Sequence, residues 1–346
     1  MAKELYYTPE MDRLTPREQE LLDKDIRLTE KAVRLSAKVN GKKYATRNAH
    51  AKAFGYVRGN FIPIKNSAGD ISELLQGNNL GVIIRYSHPN FFTLKNGPEY
   101  PLYGCSVKVY NKNVPVSAKF PLVNLPVFIT NSVSKFLKIH INANKFFISR
   151  GKPFGLSFLK IPGLVLAGLS LFFDRQILSI LRNTLRVLDI EKRFIATYAY
   201  HSVGCYRLGD KVVKIRVKPT KHKSTPEEPL MDQTQKLLEY FSAEELSLDF
   251  QVQVGTTERK TPVNNLLKIW SERSSKFVTV GRIVLPKQDI REYRTMAYEN
   301  LSFNPFENAD ELKPVGRMQK IRQKIYNTSI AARQHYNQIT GSKTKK

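Results

Sequence analysis

The run Leu246-Ser247-Leu248-Asp249-Phe250-Gln251-Val252-Gln253-Val254 alternates apolar and polar side chains without a lapse. A two-residue period can bury one face only in an extended strand, because a helix would scatter the same residues around its circumference. Seven further runs rich in β-branched and aromatic residues are bounded by Gly, Pro, Asn or charged residues. Before it come "GYVRGNFIPI", "LGVIIRYS", "GCSVKVYN", "LPVFITNS", "RFIATYAYHS" and "KVVKIRVKP"; "KFVTVGRIVLP" follows it. The chain opens with helical sequence, in which Thr15, Pro16 and Glu18 form a capping box and Leu21, Leu28, Ala32 and Leu35 an apolar face. A long helical stretch, roughly residues 132–188, divides the strands into two sets of four. That order fits a closed antiparallel barrel better than a parallel sheet, which would alternate strand and helix. The expected fold class is therefore α+β, a closed eight-stranded antiparallel β-barrel with surrounding helices. It forms one domain: an N-terminal helical arm over 1–40, the barrel with its helical insertion over 41–300, and a C-terminal helix with a basic tail over 301–346. No internal repeat interrupts this plan, and "PTKHKSTPEEP" reads as an insertion in the second half.

A chain of 346 residues with 41% hydrophobic content can bury a large core. Its formal net charge of +26 attracts polyanions. The basic residues are spread along the chain with no nucleic-acid motif, so they read as a basic surface and imply no specific nucleic acid. Two distant cysteines, Cys105 and Cys205, exclude a disulfide framework and a structural zinc site. The charged first forty residues have no apolar core of the signal-peptide kind, which makes cytoplasmic residence the default. "IPGLVLAGLSLFF" is shorter than the roughly 20 residues that cross a bilayer, so it is expected as a buried or interfacial helix. Peripheral membrane contact and a homo-oligomer both stay open.

Chemistry shows in the last helix. Arg322, Tyr326, Ser329 or Ile330, and Arg333 recur at helical spacing and so share one face. Taken alone, this is an arginine pair flanking a half-buried tyrosine, and His50 in "RNAHAKAFGYVRG" is a strand-end histidine with its hydrogen bonds met.

Together, "RNAHAKAFG", "IRYS", "VNLP", "VGRIVLP", "LSFNPF" and "RQKIYNTSIAAR" resemble, in order, the active-site motifs of haem catalases and their shorter relatives. The resemblance runs from about Arg47 to Arg333. It implies a haem b cofactor whose iron is bound by Tyr326, with Arg322 one turn away favouring the phenolate over a phenol of pKa near 10. It further implies His50 as the distal histidine, Ser87 as the hydroxyl that orients it, and Asn124 as the distal asparagine. Arg47, Arg85 and Arg333 would pair with the haem propionates, which cannot be buried without cations, and Phe128 and Phe136 would pack near the ring. The implied reaction is cleavage of the O–O bond of hydrogen peroxide or a small organic hydroperoxide, with His50 moving the proton between the two oxygens. His88, His140, His201, His222 and His335 lack such context and read as structural or exposed.

Departures from the family pattern bear on the substrate. Twenty residues follow Tyr326, so the wrapping segment and helical domain of typical catalases are expected to be absent and the haem pocket more open. Asn327 stands where catalases commonly have proline. Ala49 is neither their usual valine nor the hydroxyl residue of coral allene oxide synthase. Two alternatives remain: a fatty-acid hydroperoxide isomerase of the allene oxide synthase type, with residues 161–173 as a lipid-facing approach, and a haem-binding protein without turnover.

Overall fold

The computed structural model describes residues 4–66, 68–90, 93, 101–151, 158–173, 176–188, 190, 193–221, 232–293 and 295–343. Most of "PTKHKSTPEEP", including His222, lies outside them. Helix α1 (Pro16–Val39) leads into β1 (Ala53–Pro63), a one-turn helix α2 (Ile71–Leu74), β2 (Leu80–Ser87), β3 (Gly104–Asn111) and β4 (Ser117–Val123). Helices α3 (Val133–Arg150), α4 (Ile161–Leu169) and α5 (Ile177–Leu188) follow. The second half comprises β5 (Tyr200–His201), β6 (Cys205–Leu208), β7 (Lys211–Pro219), α6 (Gln233–Ala243), β8 (Leu246–Val254), β9 (Phe277–Leu285), α7 (Met296–Asn300), β10 (Pro314–Val315) and α8 (Arg317–Lys343).

Eight strands close on themselves in the order β7-β5-β4-β3-β2-β1-β9-β8, with β8 pairing back onto β7; every ladder is antiparallel. Closure pairs the sheet edges except along most of β4, which meets β5 at a single position, and the short strands β6 and β10 extend from β7 outside the ring. Alternation then sorts the side chains. In β2, Val82, Ile84 and Tyr86 join Phe61, Phe120, Phe250 and Val252 in the core, while Ile83 lies on the other side with Tyr56 and Phe303. In β8 the alternation holds for Leu248, Phe250 and Val252, but Gln251 and Gln253 are buried too. Gln253 is accommodated because its amide donates to the Trp270 and Ser275 carbonyls at 3.1 and 2.7 Å.

Two expectations need correction. "LPVFITNS" is not a strand; the fourth strand is Ser117–Val123, which contains Pro121. Proline removes a ladder donor, yet β4 meets β5 only at Val123, so Pro121 faces a largely unpaired side. "RFIATYAYHS" contributes only Tyr200 and His201 to the sheet, its first half forming a 3₁₀ turn at Ile195–Thr197. The expected helical stretch holds α3, α4 and α5, with α3 capped at Gly151.

The capping box of α1 forms as expected: Thr15 Oγ1 accepts from Glu18 N, and Glu18 Oε2 accepts from Thr15 N. The buried face of α1 differs, because Asp25, Thr29 and Ser36 line it beside Leu22, Ala32 and Val33. Asp25 is satisfied there by His140 Nδ1 at 2.6 Å and Asn144 Nδ2 at 3.1 Å, both from α3. Glu18 also accepts from Arg317 at the start of α8, so one cap residue ties the first turns of two helices together. The N-terminal segment thus packs on α3 and α8.

Candidate active site

Strand direction decides what meets at one end of the barrel. Neighbours in an antiparallel sheet run oppositely, so the start of β1, the end of β2, the start of β3 and the end of β4 lie together. Those positions carry His50 with the segment entering β1, then Ser87, Gly104, and Asn124 directly after β4.

His50 Nδ1 lies 3.1 Å from Ser87 Oγ, which leaves the far ring nitrogen of the imidazole turned away from that hydroxyl. A Cβ added to Gly104 would come within 2.6 Å of His50 Nδ1, so glycine there lets the backbone lie against the imidazole. The His50 backbone is in the left-handed region, φ 53°, uncommon for a residue with a side chain. Arg85 Nη2 donates to the His50 carbonyl at 2.7 Å and holds that conformation. Burial, followed by the positive charges of Arg85 and Arg322, pushes the imidazole pKa down to about 3, so it is neutral at physiological pH.

Asn124 is one step along the same rim. Its Oδ1 accepts from Tyr103 N at 2.8 Å, its Nδ2 donates to Pro101 O at 2.7 Å, and one amide hydrogen is left over. These bonds fix the side chain without linking it directly to His50.

Arg85 is 2% exposed and Arg333 3%. Arg85 Nε donates to Tyr56 Oη at 3.2 Å, and Arg47 Nη2 donates to the Glu299 and Leu301 carbonyls at 3.0 and 2.8 Å. Arg47 Nε, Arg333 Nε and Arg333 Nη2 are buried without a hydrogen-bond partner. Burial, and then the charges of Arg47 and Arg85, bring the Arg333 pKa down to about 9. Three mutually repelling cations share this place, among the described residues, with the carboxylate of Glu299, which accepts from Tyr56 Oη at 3.2 Å. An uncompensated cation cluster inside a protein is costly unless an anion joins it.

On α8, Arg322 Nη2 donates to Tyr326 Oη at 3.3 Å, and Gln319 Oε1 accepts from Arg322 Nη1. Burial works against the Arg322 charge, but Tyr326 and Tyr206 outweigh it and its pKa is raised. Phe306, from "LSFNPF", meets the Tyr326 ring edge-on at 6.2 Å, and Asn304 Nδ2 donates to Asn327 Oδ1 at 2.9 Å. Phe128 and Phe136 pack against each other and a cluster holding Met318, Ile321 and Ile325 of α8, and so cement that helix to α3. His50, Arg47, Arg322 and Tyr326 each keep some accessible surface. His50 and Arg322 are nonetheless strongly desolvated, the combination expected of residues that line an internal space.

Sequence reasoning missed Gly104, Gln319, Tyr56 and Glu299. Gly104, Tyr56 and Glu299 act through backbone proximity or partners far away in the chain, and Gln319, one turn before Arg322, is a residue type with no chemical signature of its own. Tyr206 was missed likewise; its buried hydroxyl, raised in pKa chiefly by burial, senses Arg322 and Tyr326. His140, expected to be structural or exposed, is structural through Asp25. Cys105 and Cys205 are free and buried, and no cluster of metal-ligating His, Cys, Asp or Glu occurs among the described residues.

This architecture, a closed barrel with its cationic site under a long C-terminal helix, is a catalase-like fold. The chain is similar to a fungal catalase (TM-score 0.64, 16% identity, 88% of this chain and 62% of that one). It is also similar to catalase A from Saccharomyces cerevisiae (TM-score 0.64, 16% identity, 86% and 63%) and to a bacterial catalase (0.59, 15%, 87% and 59%). The chain spans less than two thirds of the length of each. No protein-family model matches it, and no curated protein matches it by sequence.

Proposed function

We propose that this chain binds one haem b and uses it to cleave the O–O bond of hydrogen peroxide or a small organic hydroperoxide. The observation that carries the reading is the cluster of Arg47, Arg85 and Arg333: the unpartnered buried nitrogens of Arg47 and Arg333, beside the buried charge of Arg85, fit a dianion such as the two propionates of a haem. The donor set agrees. Tyr326 would hold the iron, and Arg322, fixed by Gln319, offers its phenol oxygen the positive charge that a phenolate needs. The catalase-like fold, shared with fungal, yeast and bacterial catalases, supports the same reading.

A bound haem supplies the electrons for heterolysis. Around it, His50 is neutral and desolvated, so it can accept the hydroperoxide proton and return it to the leaving oxygen. With Nδ1 donating to Ser87 Oγ, the far nitrogen is the one that takes the proton. The remaining amide hydrogen of Asn124 would donate to the hydroperoxide, and Gly104 keeps the imidazole unobstructed.

Oxygen evolution from hydrogen peroxide by haem-loaded protein tests the reading. His50→Ala should retain haem and lose about 100-fold or more in turnover; Tyr326→Phe should lose haem or change its ferric spectrum. Normal turnover in both variants would end the assignment. Loss of conjugated-diene absorbance from a fatty-acid hydroperoxide, without oxygen release, would instead favour the isomerase, and bound haem inert to both substrates the carrier.

A further inference from the structure

Helices α4 and α5 turn apolar side chains outward. In α4, Ala167 is the one buried residue, while Val165, Leu166 and Leu169 are exposed. In α5 the inner positions include Ile180 and Asn183, whose Nδ2 donates to Leu267 O at 3.1 Å. Leu178, Leu181 and Leu185 recur at spacings of three and four on the other side. Leu178 is 76% exposed, Leu166 67% and Leu185 65%, values reached only by leucines with almost nothing against them. The 3₁₀ turn Ser170–Phe173 follows α4 directly and leads towards α5, so the two sets lie next to each other along the chain. Single exposed leucines are ordinary, but a concentration of them in one short segment marks a contact surface.

The charge along this segment is predominantly positive. Arg182 and Arg186 flank the stripe of α5. Lys24, Lys145 and Lys160 lie close enough to repel, and the Lys145 ammonium is held below its ordinary range by burial and then by the other two. Between Val133 and Leu188 the sequence has one carboxylate, Asp174. A second copy of the chain would bring two cationic rims together, which opposes self-association through this face. An anionic bilayer meets both demands: leucines enter the acyl boundary while lysine and arginine heads reach the phosphates. No helix among the described residues is long and apolar enough to cross a membrane.

We infer that the α4–α5 face is a peripheral membrane-binding surface for anionic phospholipid. The test is flotation of the full-length protein with phosphatidylcholine vesicles and with phosphatidylcholine–phosphatidylglycerol vesicles. The wild type should float with the anionic vesicles at least about tenfold more than with the neutral ones, and salt should weaken this. The double variant Leu178→Asp/Leu185→Asp should not float at any salt. Lys145→Gln/Lys160→Gln should bind about tenfold or more weakly. These side chains are not core residues, so circular dichroism and melting should match the wild type. Equal flotation with neutral vesicles, or flotation that survives the leucine substitutions, would overturn the inference. So would absence of flotation; if accompanied by a dimer that Leu178→Asp/Leu185→Asp dissociates, it assigns the face to a second copy.

Discussion

His50 combines two features that stability alone would not retain, a left-handed backbone and an imidazole stripped of water. The first costs about 1–2 kcal/mol in a residue with a Cβ, and Arg85 opposes it by holding the His50 carbonyl. His50→Gly should therefore leave stability in urea equal to the wild type or higher while turnover disappears. A loss of more than about 1 kcal/mol would show that the imidazole is a packing element. Arg333 makes the same argument with charge. Arg333→Leu should stabilise the haem-free protein by about 1–3 kcal/mol, because it removes a buried cation with two unpartnered nitrogens that two neighbouring cations repel, and should weaken haem binding. A destabilised haem-free variant would mean that Arg333 is satisfied without a ligand. Residue identities at these places were legible in the motifs. The strain at His50 was not, since it depends on an arginine 35 positions away.

Strands β2, β3 and β7 fall where the alternation and β-branched content put them, and β8 and β9 within a residue at their ends. Burial on one face is what those patterns report. The pattern failed where partners decide. Pro121 disguised a strand whose outer side is mostly unpaired, and Asp25 and Thr29 disguised the buried face of α1 because their partners are on α3. Gly104 belongs to the same class: the start of β3 was readable, and the reason for its glycine was not. Gly104→Ala should keep the barrel intact by circular dichroism, displace the imidazole, and lower turnover by about 100-fold or more. Wild-type turnover would show that the His50 ring has room to move.

Across the whole molecule, buried histidines set a pH dependence. Burial comes first for both His50 and His201, with Arg216 and Lys214 adding to the latter, and each pKa falls to about 3. An unfolded histidine titrates near 6.5, so between about pH 3 and 6.5 the unfolded chain binds protons that the folded chain does not. Stability should rise with pH across that window, by up to about 1.4 kcal/mol per pH unit for each histidine, and level off above it. Urea midpoints measured against pH check the sign, and His50→Ala should flatten the rise by one proton's worth. The closed barrel was legible from the strong alternating strands, although the expected eight included one run that is not a strand and left out β4. Their direction then brings the ends of four strands to one rim, and Arg322 of α8 is close enough to His50 at that rim for its charge to act on the imidazole. The most direct measurement of the central claim is titration of the purified protein with ferric haem, followed by absorbance and melting temperature. The account predicts saturation at one haem per chain with a raised melting temperature, and a changed spectrum in Tyr326→Phe. A protein that stays colourless, or a Tyr326→Phe variant whose haem spectrum and affinity match the wild type, would contradict it.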